Sequence, residues 1–245
     1  MFRYHAEALS LAGLELRPSA AAEERVVAIE AALRRRLPAS VREFLASDGW
    51  PGLLEQFSNS DQPIPVDDLR ASRWRDYDPV QHGVLPFMIE TQGVCTWAIA
   101  LDAGDDPEVL VEVDSGNPPA WQHAAPSFSL WVRCQVLDRQ LLERALFAAQ
   151  AAPLAEAALA QLERRFAAGP RTFGWPTRTI HRFHGDLGSL LLWAGDNQCD
   201  WWIAPAALDT ATELLDLLPV ACDGALYELR PEGKDVLDAW LSADR

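Results

Sequence analysis

The stretch from Gly83 to Val113 constrains the fold of this chain more than any other. Apolar runs at 84–89, 94–101 and 109–113 are separated by two turn signals, Glu90-Thr91-Gln92-Gly93 and Asp102-Ala103-Gly104-Asp105-Asp106-Pro107. Runs of this length bounded by Gly, Asp and Pro predict a three-stranded antiparallel meander. In the middle run Cys95, Trp97, Ile99 and Leu101 share one side, and Thr96, Ala98 and Ala100 share the other. A strand's side chains alternate, so the bulky side is expected on a core. The small side is expected under a close neighbour or at a partner.

At 245 residues the chain is long enough for one large domain or two small ones. Hydrophobic residues make up 49% and charged residues 23%, a balance that builds a core and argues against disorder. No apolar run approaches the ~18 residues of a membrane span. The opening Met1-Phe2-Arg3-Tyr4-His5-Ala6-Glu7 lacks the apolar core of a signal peptide, so a cytoplasmic protein is expected. The cysteines Cys95, Cys134, Cys199 and Cys222 form no Cys-x-x-Cys pair and read as buried free thiols. Net charge is −15, spread along the chain and not gathered in a tail. Such a surface repels nucleic acid and anionic membrane. It attracts a basic partner and speeds the encounter, or it serves solubility alone.

Pro18-Ser19 opens a helix with Val26, Ile29 and Leu33 on its buried stripe. After Leu37-Pro38, Ser40-Val41-Arg42-Glu43 has the form of a capping box starting a short helix that buries Val41, Phe44 and Leu45 and stops at Asp48-Gly49. Residues 50–82 are rich in Pro and Asp and read as loop, with a short strand or helical turn around 65–69. Residues 127–136 alternate, as a fourth strand or as the entry to a helix. Asp138 is placed to cap a helix carrying Leu141, Leu142, Ala145, Leu146 and Ala149, and Pro153 to start one carrying Leu154, Ala158, Leu162 and Phe166. From 170 onward a smaller α/β lobe is expected. Its strands lie at 179–183, 189–193, 200–204 and 225–229. Asp209 caps one helix, and Pro231 starts the last. Asn197-Gln198-Cys199-Asp200-Trp201-Trp202-Ile203-Ala204 echoes Thr91-Gln92-Gly93-Val94-Cys95-Thr96-Trp97-Ala98-Ile99-Ala100. A degenerate duplication and a chance likeness of two tight turns both account for it.

The unit Ile29-Glu30, Leu37-Pro38, Phe44-Leu45, Asp48-Gly49 resembles the helix, Leu-Pro, helix, Asn-Gly opening of the SUKH superfamily, named in part for a fungal cell-wall-synthesis regulator. Thr91-Gln92-Gly93-Val94, Trp97-Ala98-Ile99 and Asp105-Asp106-Pro107-Glu108-Val109 are similar to that family's Asn-Gln-Gly turn, aromatic strand and Asp-Pro-Pro-Val strand. Thr91 stands where the family has Asn, and Glu108 where it has the second Pro. The resemblance covers roughly residues 20–150. It implies an α+β fold, a mixed and mainly antiparallel sheet packed against helices, in a domain over 1–150. Residues 151–245 form a C-terminal α/β extension.

Bacterial members of that family are mostly immunity proteins that bind and block a cognate secreted toxin, often a nuclease. The resemblance therefore implies a toxin partner, expected to be basic, and no catalysis and no cofactor in this chain. The acids placed to meet such a partner are Asp61, Asp67, Asp68, Asp76, Asp78, Asp105, Asp106, Glu108, Glu112 and Asp114, with Trp74 and Tyr77 as aromatic anchors. Gln92 and Gly93 are expected to shape a turn, Gly93 by taking positive φ. A non-catalytic adaptor in cell-wall or stress signalling is the alternative that fungal relatives suggest. For an enzyme, the best chemical candidate is His181-Arg182-Phe183-His184-Gly185-Asp186, whose spacing offers metal ligands for hydrolysis. On a strand, however, His181 and His184 point to opposite faces. No nucleophile elbow, phosphate loop or dinucleotide fingerprint is present.

Overall fold

The computed structural model describes residues 2–57, 61–65, 68–69, 78–114, 120–174, 178–219 and 226–243. The protein is α+β, with two sheets whose described strand pairings are all antiparallel. It divides into two compact units, Met1–Arg139 and Gln140–Arg245. The boundary expected after residue 150 instead falls inside a strand of the second sheet.

The first unit begins with α1 (Ala6–Ala12), closed by Gly13 at φ 65°, and α2 (Ala20–Leu33). Ser19 caps α2 by accepting the Ala22 N–H at 3.0 Å. Val26, Ile29 and Leu33 are buried along one stripe, as the spacing requires. α3 (Ala39–Leu45) buries Val41, Phe44 and Leu45, but the capping box does not form. Pro38 holds the cap position, and the Glu43 carboxylate instead accepts the N–H groups of Arg3, Tyr4 and His5 at 2.7, 2.8 and 3.1 Å. A distant segment offering three donors outcompetes the single local one. α4 (Trp50–Phe57) occupies part of the stretch read as loop, and buries Trp50, Leu53 and Leu54.

The first sheet has the order β1 (Gln62–Pro63), β2 (Val84–Ile89), β3 (Thr96–Ala100), β4 (Val109–Asp114), β5 (Ala120–Ala125). The predicted meander is its centre. The short α5 (Pro79–His82) leads into β2. Thr96 and Ala98 are as fully buried as Trp97 and Ile99, so both faces of β3 are covered. Of residues 127–136, all but Ser127 are helical: α6 (Phe128–Arg144) is one continuous helix, and Asp138 lies within it instead of capping a new one. Phe128 and Trp131 of α6 meet Phe87 edge-on at centroid distances of 5.3 and 5.0 Å, and Phe128 meets Phe44 at 5.5 Å. Edge-to-face pairs of this kind add about 0.5–1.5 kcal/mol each beyond their buried area.

The second unit takes the end of α6 and builds a sheet ordered β12 (Leu226–Glu228), β6 (Phe147–Ala151), β11 (Cys199–Pro205), β10 (Gly188–Ala194), β9 (Arg178–Gly185), β7 (Ala167–Ala168), with β8 (Thr172–Gly174) also on β9. The hairpins β9–β10 and β10–β11 match the predicted strands. β6 does not: its residues were expected to continue a helix. Ala149 sits opposite Trp201, and Ala148 opposite Trp202, so small residues leave room for the indoles beside them. One face carries Phe147, Phe183, Leu190, Leu192, Trp201 and Ile203. Leu162 of α7 (Glu156–Arg165), Leu214 and Leu215 of α8 (Ala211–Leu217), and Leu237 and Trp240 of α9 (Pro231–Ser242) belong to the same core. The other face packs Ile180, Leu191 and Ala204 against Leu141 and Ala145. Cys95, Cys134 and Cys199 are buried and in no disulfide, while Cys222 lies outside the described residues.

Candidate functional site

The acids expected to meet a partner divide between the two ends of the first sheet. Val84 pairs with Ala100, and Leu101 N–H bonds Gly83 O at 2.8 Å, so residues 78–83 and the β3–β4 turn share one end. Asp78, Asp105, Asp106 and Glu108 belong there. At that same end lies Asp102, an exposed acid whose place in the sequence signals only a turn; it accepts a 3.0 Å hydrogen bond from Arg35.

Each member has its own local task. Asp78 Oδ1 accepts the Gln81 N–H at 3.3 Å and starts α5, yet the residue stays exposed. Asp105 is exposed, and its backbone oxygen takes the Ser40 N–H at 2.8 Å. Asp106 turns inward and caps α6, accepting the Ser129 N–H at 3.0 Å and the Ser129 hydroxyl at 2.5 Å. Burial pulls its carboxyl upward, but the Ser129 bonds, aided by the hydroxyls of Ser40 and Ser127, overcome this and hold it below the usual carboxylate range. Glu108 meets His123 Nδ1 at 2.9 Å. Asp68 is exposed beyond β1.

The opposite end holds Asp61, Glu112 and Asp114. Asp114 closes β4 opposite Ala120. Asp61 and Glu112 are each only 7% exposed, so the expectation that they offer a free surface to a partner is corrected. Asp61 precedes β1, whose pairing with β2 sets it opposite Glu90; Glu112 sits on β4 beside the buried Thr96 row. Asp67, Trp74, Asp76 and Tyr77 lie outside the described residues.

Glu90 does more than open the turn that the sequence signals. It is 7% exposed, and its Oε2 accepts the N–H groups of Gln92 at 2.7 Å and Val94 at 3.2 Å. Gly93 takes φ 72° and donates its N–H to Glu90 O at 2.7 Å, giving the turn the shape that its Gln-Gly signal predicts. A lone acid ending an apolar run, just before a Gly turn, is the only trace of this role in the sequence.

In the second unit, β9 puts His181 beside Phe183 on the face covered by α7, α8 and α9 and His184 on the other, where Nδ1 lies 3.0 Å from Ser189 Oγ. Asp186 is exposed in the following turn. Burial, reinforced by the guanidiniums of Arg171 and Arg182, pushes His181 down to about 4. Among the described residues no group of three or more His, Cys, Asp and Glu is placed to hold a metal ion. Among them, also, no helix is long and apolar enough to cross a membrane. No protein-family model, no curated protein and no solved structure matches this chain.

Proposed function

We propose that this chain is a non-catalytic immunity protein that binds a basic cognate toxin domain in the cytoplasm and blocks it by protein–protein contact. The observation that carries the reading is the acidic end of the first sheet. Asp78, Asp102 and Asp105 are exposed there, Glu108 is half-buried, and the whole chain bears a charge of −15. The resemblance of residues 20–150 to the SUKH superfamily supplies the class of partner. A pair of opposite charges ~4 Å apart at a protein surface attracts by about 4 kcal/mol before desolvation, so a few such acids can orient a basic domain. A stable complex buries on the order of 1,600 Å², which requires neighbours of this patch to join the contact. Asp106 supports the patch from within and is not itself offered to the partner.

The test is co-expression with the toxin domain of a large secreted protein encoded beside this chain. Rescue of growth and a purified complex are expected. Absence of both overturns the reading. In the complex, Asp78→Lys with Asp105→Lys should slow association by about tenfold or more at low salt, with a smaller effect on dissociation.

A further inference from the structure

The turn at 91–94 is exposed, yet the carboxyls that anchor it are buried. Glu90 grips it through Gln92 and Val94, and Asp61 grips it through the Thr91 N–H. The β1–β2 register, with Gln62 opposite Ile89, brings Asp61 to Glu90, close enough for the two charges to act on each other, and each residue is 7% exposed. Like charges placed directly opposite on neighbouring strands repel, and removal from water sharpens the repulsion.

We propose that Asp61 and Glu90 form a proton-controlled clasp on the β2–β3 turn: with one proton on the pair the turn is pinned, and with none the clasp loosens and frees residues 91–94. Among the described residues, the Cys95 thiol, just before β3, feels both carboxylates of the pair, and also Glu112 from β4. All three carboxylates bear on Cys95. Burial first, then Asp61, Glu90 and Glu112, push that thiol up to about 12, so it stays neutral and donates no negative charge of its own. Burial, followed by the facing carboxylate of Glu90, raises Asp61 to about 7 against the opposing pull of the Thr91 hydrogen bond. Asp61 is the member held near neutrality, so it is the one that carries the proton. The clasp therefore changes state around neutral pH, where most buried carboxylates do not. Its output is the turn itself, which presents the half-exposed Val94 beside Gln92. The device needs no assumption about any partner.

The test follows the amide signals of Thr91, Gln92 and Val94 in the full chain by NMR from pH 5.5 to 8.5. A shared midpoint near 7 is expected, with hydrogen-exchange protection of the Gln92 and Val94 amides falling by about tenfold across it, the equivalent of 1.4 kcal/mol. In Asp61→Asn, which mimics the protonated acid, those signals should be flat over the same range. Signals that do not titrate in the unaltered chain overturn the proposal, as does the same titration persisting in Asp61→Asn. Should that variant fail to fold, the Asp61 carboxyl carbon in the unaltered chain decides instead. A midpoint near 7 upholds the clasp, and one near 4 removes it.

Discussion

Asp105 and Asp106 are adjacent in the chain, yet only one of them is open to a partner. The β3–β4 turn directs Asp105 outward and Asp106 onto the first turn of α6, where unpaired N–H groups reward a carboxylate. The same sorting acts on His181, which lies 9% exposed on an apolar face in line with Phe183. Unfolded, it takes a proton near its ordinary value of 6.5; folded, it does so only near 4. Between those values the unfolded chain binds more protons, so the His181 contribution is intact above 6.5 and is lost as pH falls towards 4. The slope it adds is at most about 1.4 kcal/mol per pH unit. His181→Phe keeps a flat ring beside Phe183 and abolishes this titration. Urea unfolding at pH 7.0, 5.5 and 4.5 should show the variant losing stability less steeply than the unaltered chain. Parallel losses would mean that His181 is not held neutral by its surroundings.

Elements bring their own constraint, clearest at the β9–β10 hairpin. Gly188 opens β10 at φ 153°, and a Cβ there would stand 2.4 Å from Ala204 O and 2.9 Å from Pro205 Cα and Leu214 Cδ2. Two of those three atoms are backbone, so no side chain can swing aside to make room. Gly188→Ala should lower stability by about 3 kcal/mol or more, read as a large drop in the thermal midpoint. Gly104, at φ 90° with nothing within 4 Å of its Cβ position, provides the comparison: Gly104→Ala meets only backbone strain, on the order of 1 kcal/mol. Equal effects at the two positions would refute crowding at Gly188. Gly104 is legible in the sequence as a turn residue, but the crowding at Gly188 depends on β11 lying alongside. The same limit applies more widely. The β2–β4 and β9–β11 runs were readable because their alternation and turns are local. α4 was hidden by the prolines around it. β6 was misread because Ala-rich residues favour helix, and only the indoles of β11 make a strand of them. Of the expected site, exposure at Asp78 and Asp105 followed from turn chemistry. The burial of Asp61 and Glu112 followed from strand register, which no single stretch encodes.

On the scale of the whole molecule, β6 decides where one unit stops and the next begins. It is the strand between β12 and β11, with Phe147 wholly buried and Leu229 N–H bonding Leu146 O at 2.8 Å just outside it. A division after residue 150 would strip that strand from the second sheet. β11 would become a bare edge with unpaired backbone groups, and β12 would lose the strand it pairs with. A division after Arg139 retains β6 together with Leu141 and Ala145, which cover the other face of the sheet. The two boundaries therefore predict different behaviour for two fragments. Residues 140–245 carry a closed core of their own and should give a cooperative unfolding transition with dispersed amide signals. Residues 151–245 lack the inner strand and should be aggregated or unfolded, because a long apolar edge invites pairing between chains. Circular dichroism and size-exclusion chromatography on the two fragments measure the difference. A folded, monomeric 151–245 would show that β6 is dispensable and would return the boundary to the place the sequence pattern suggested.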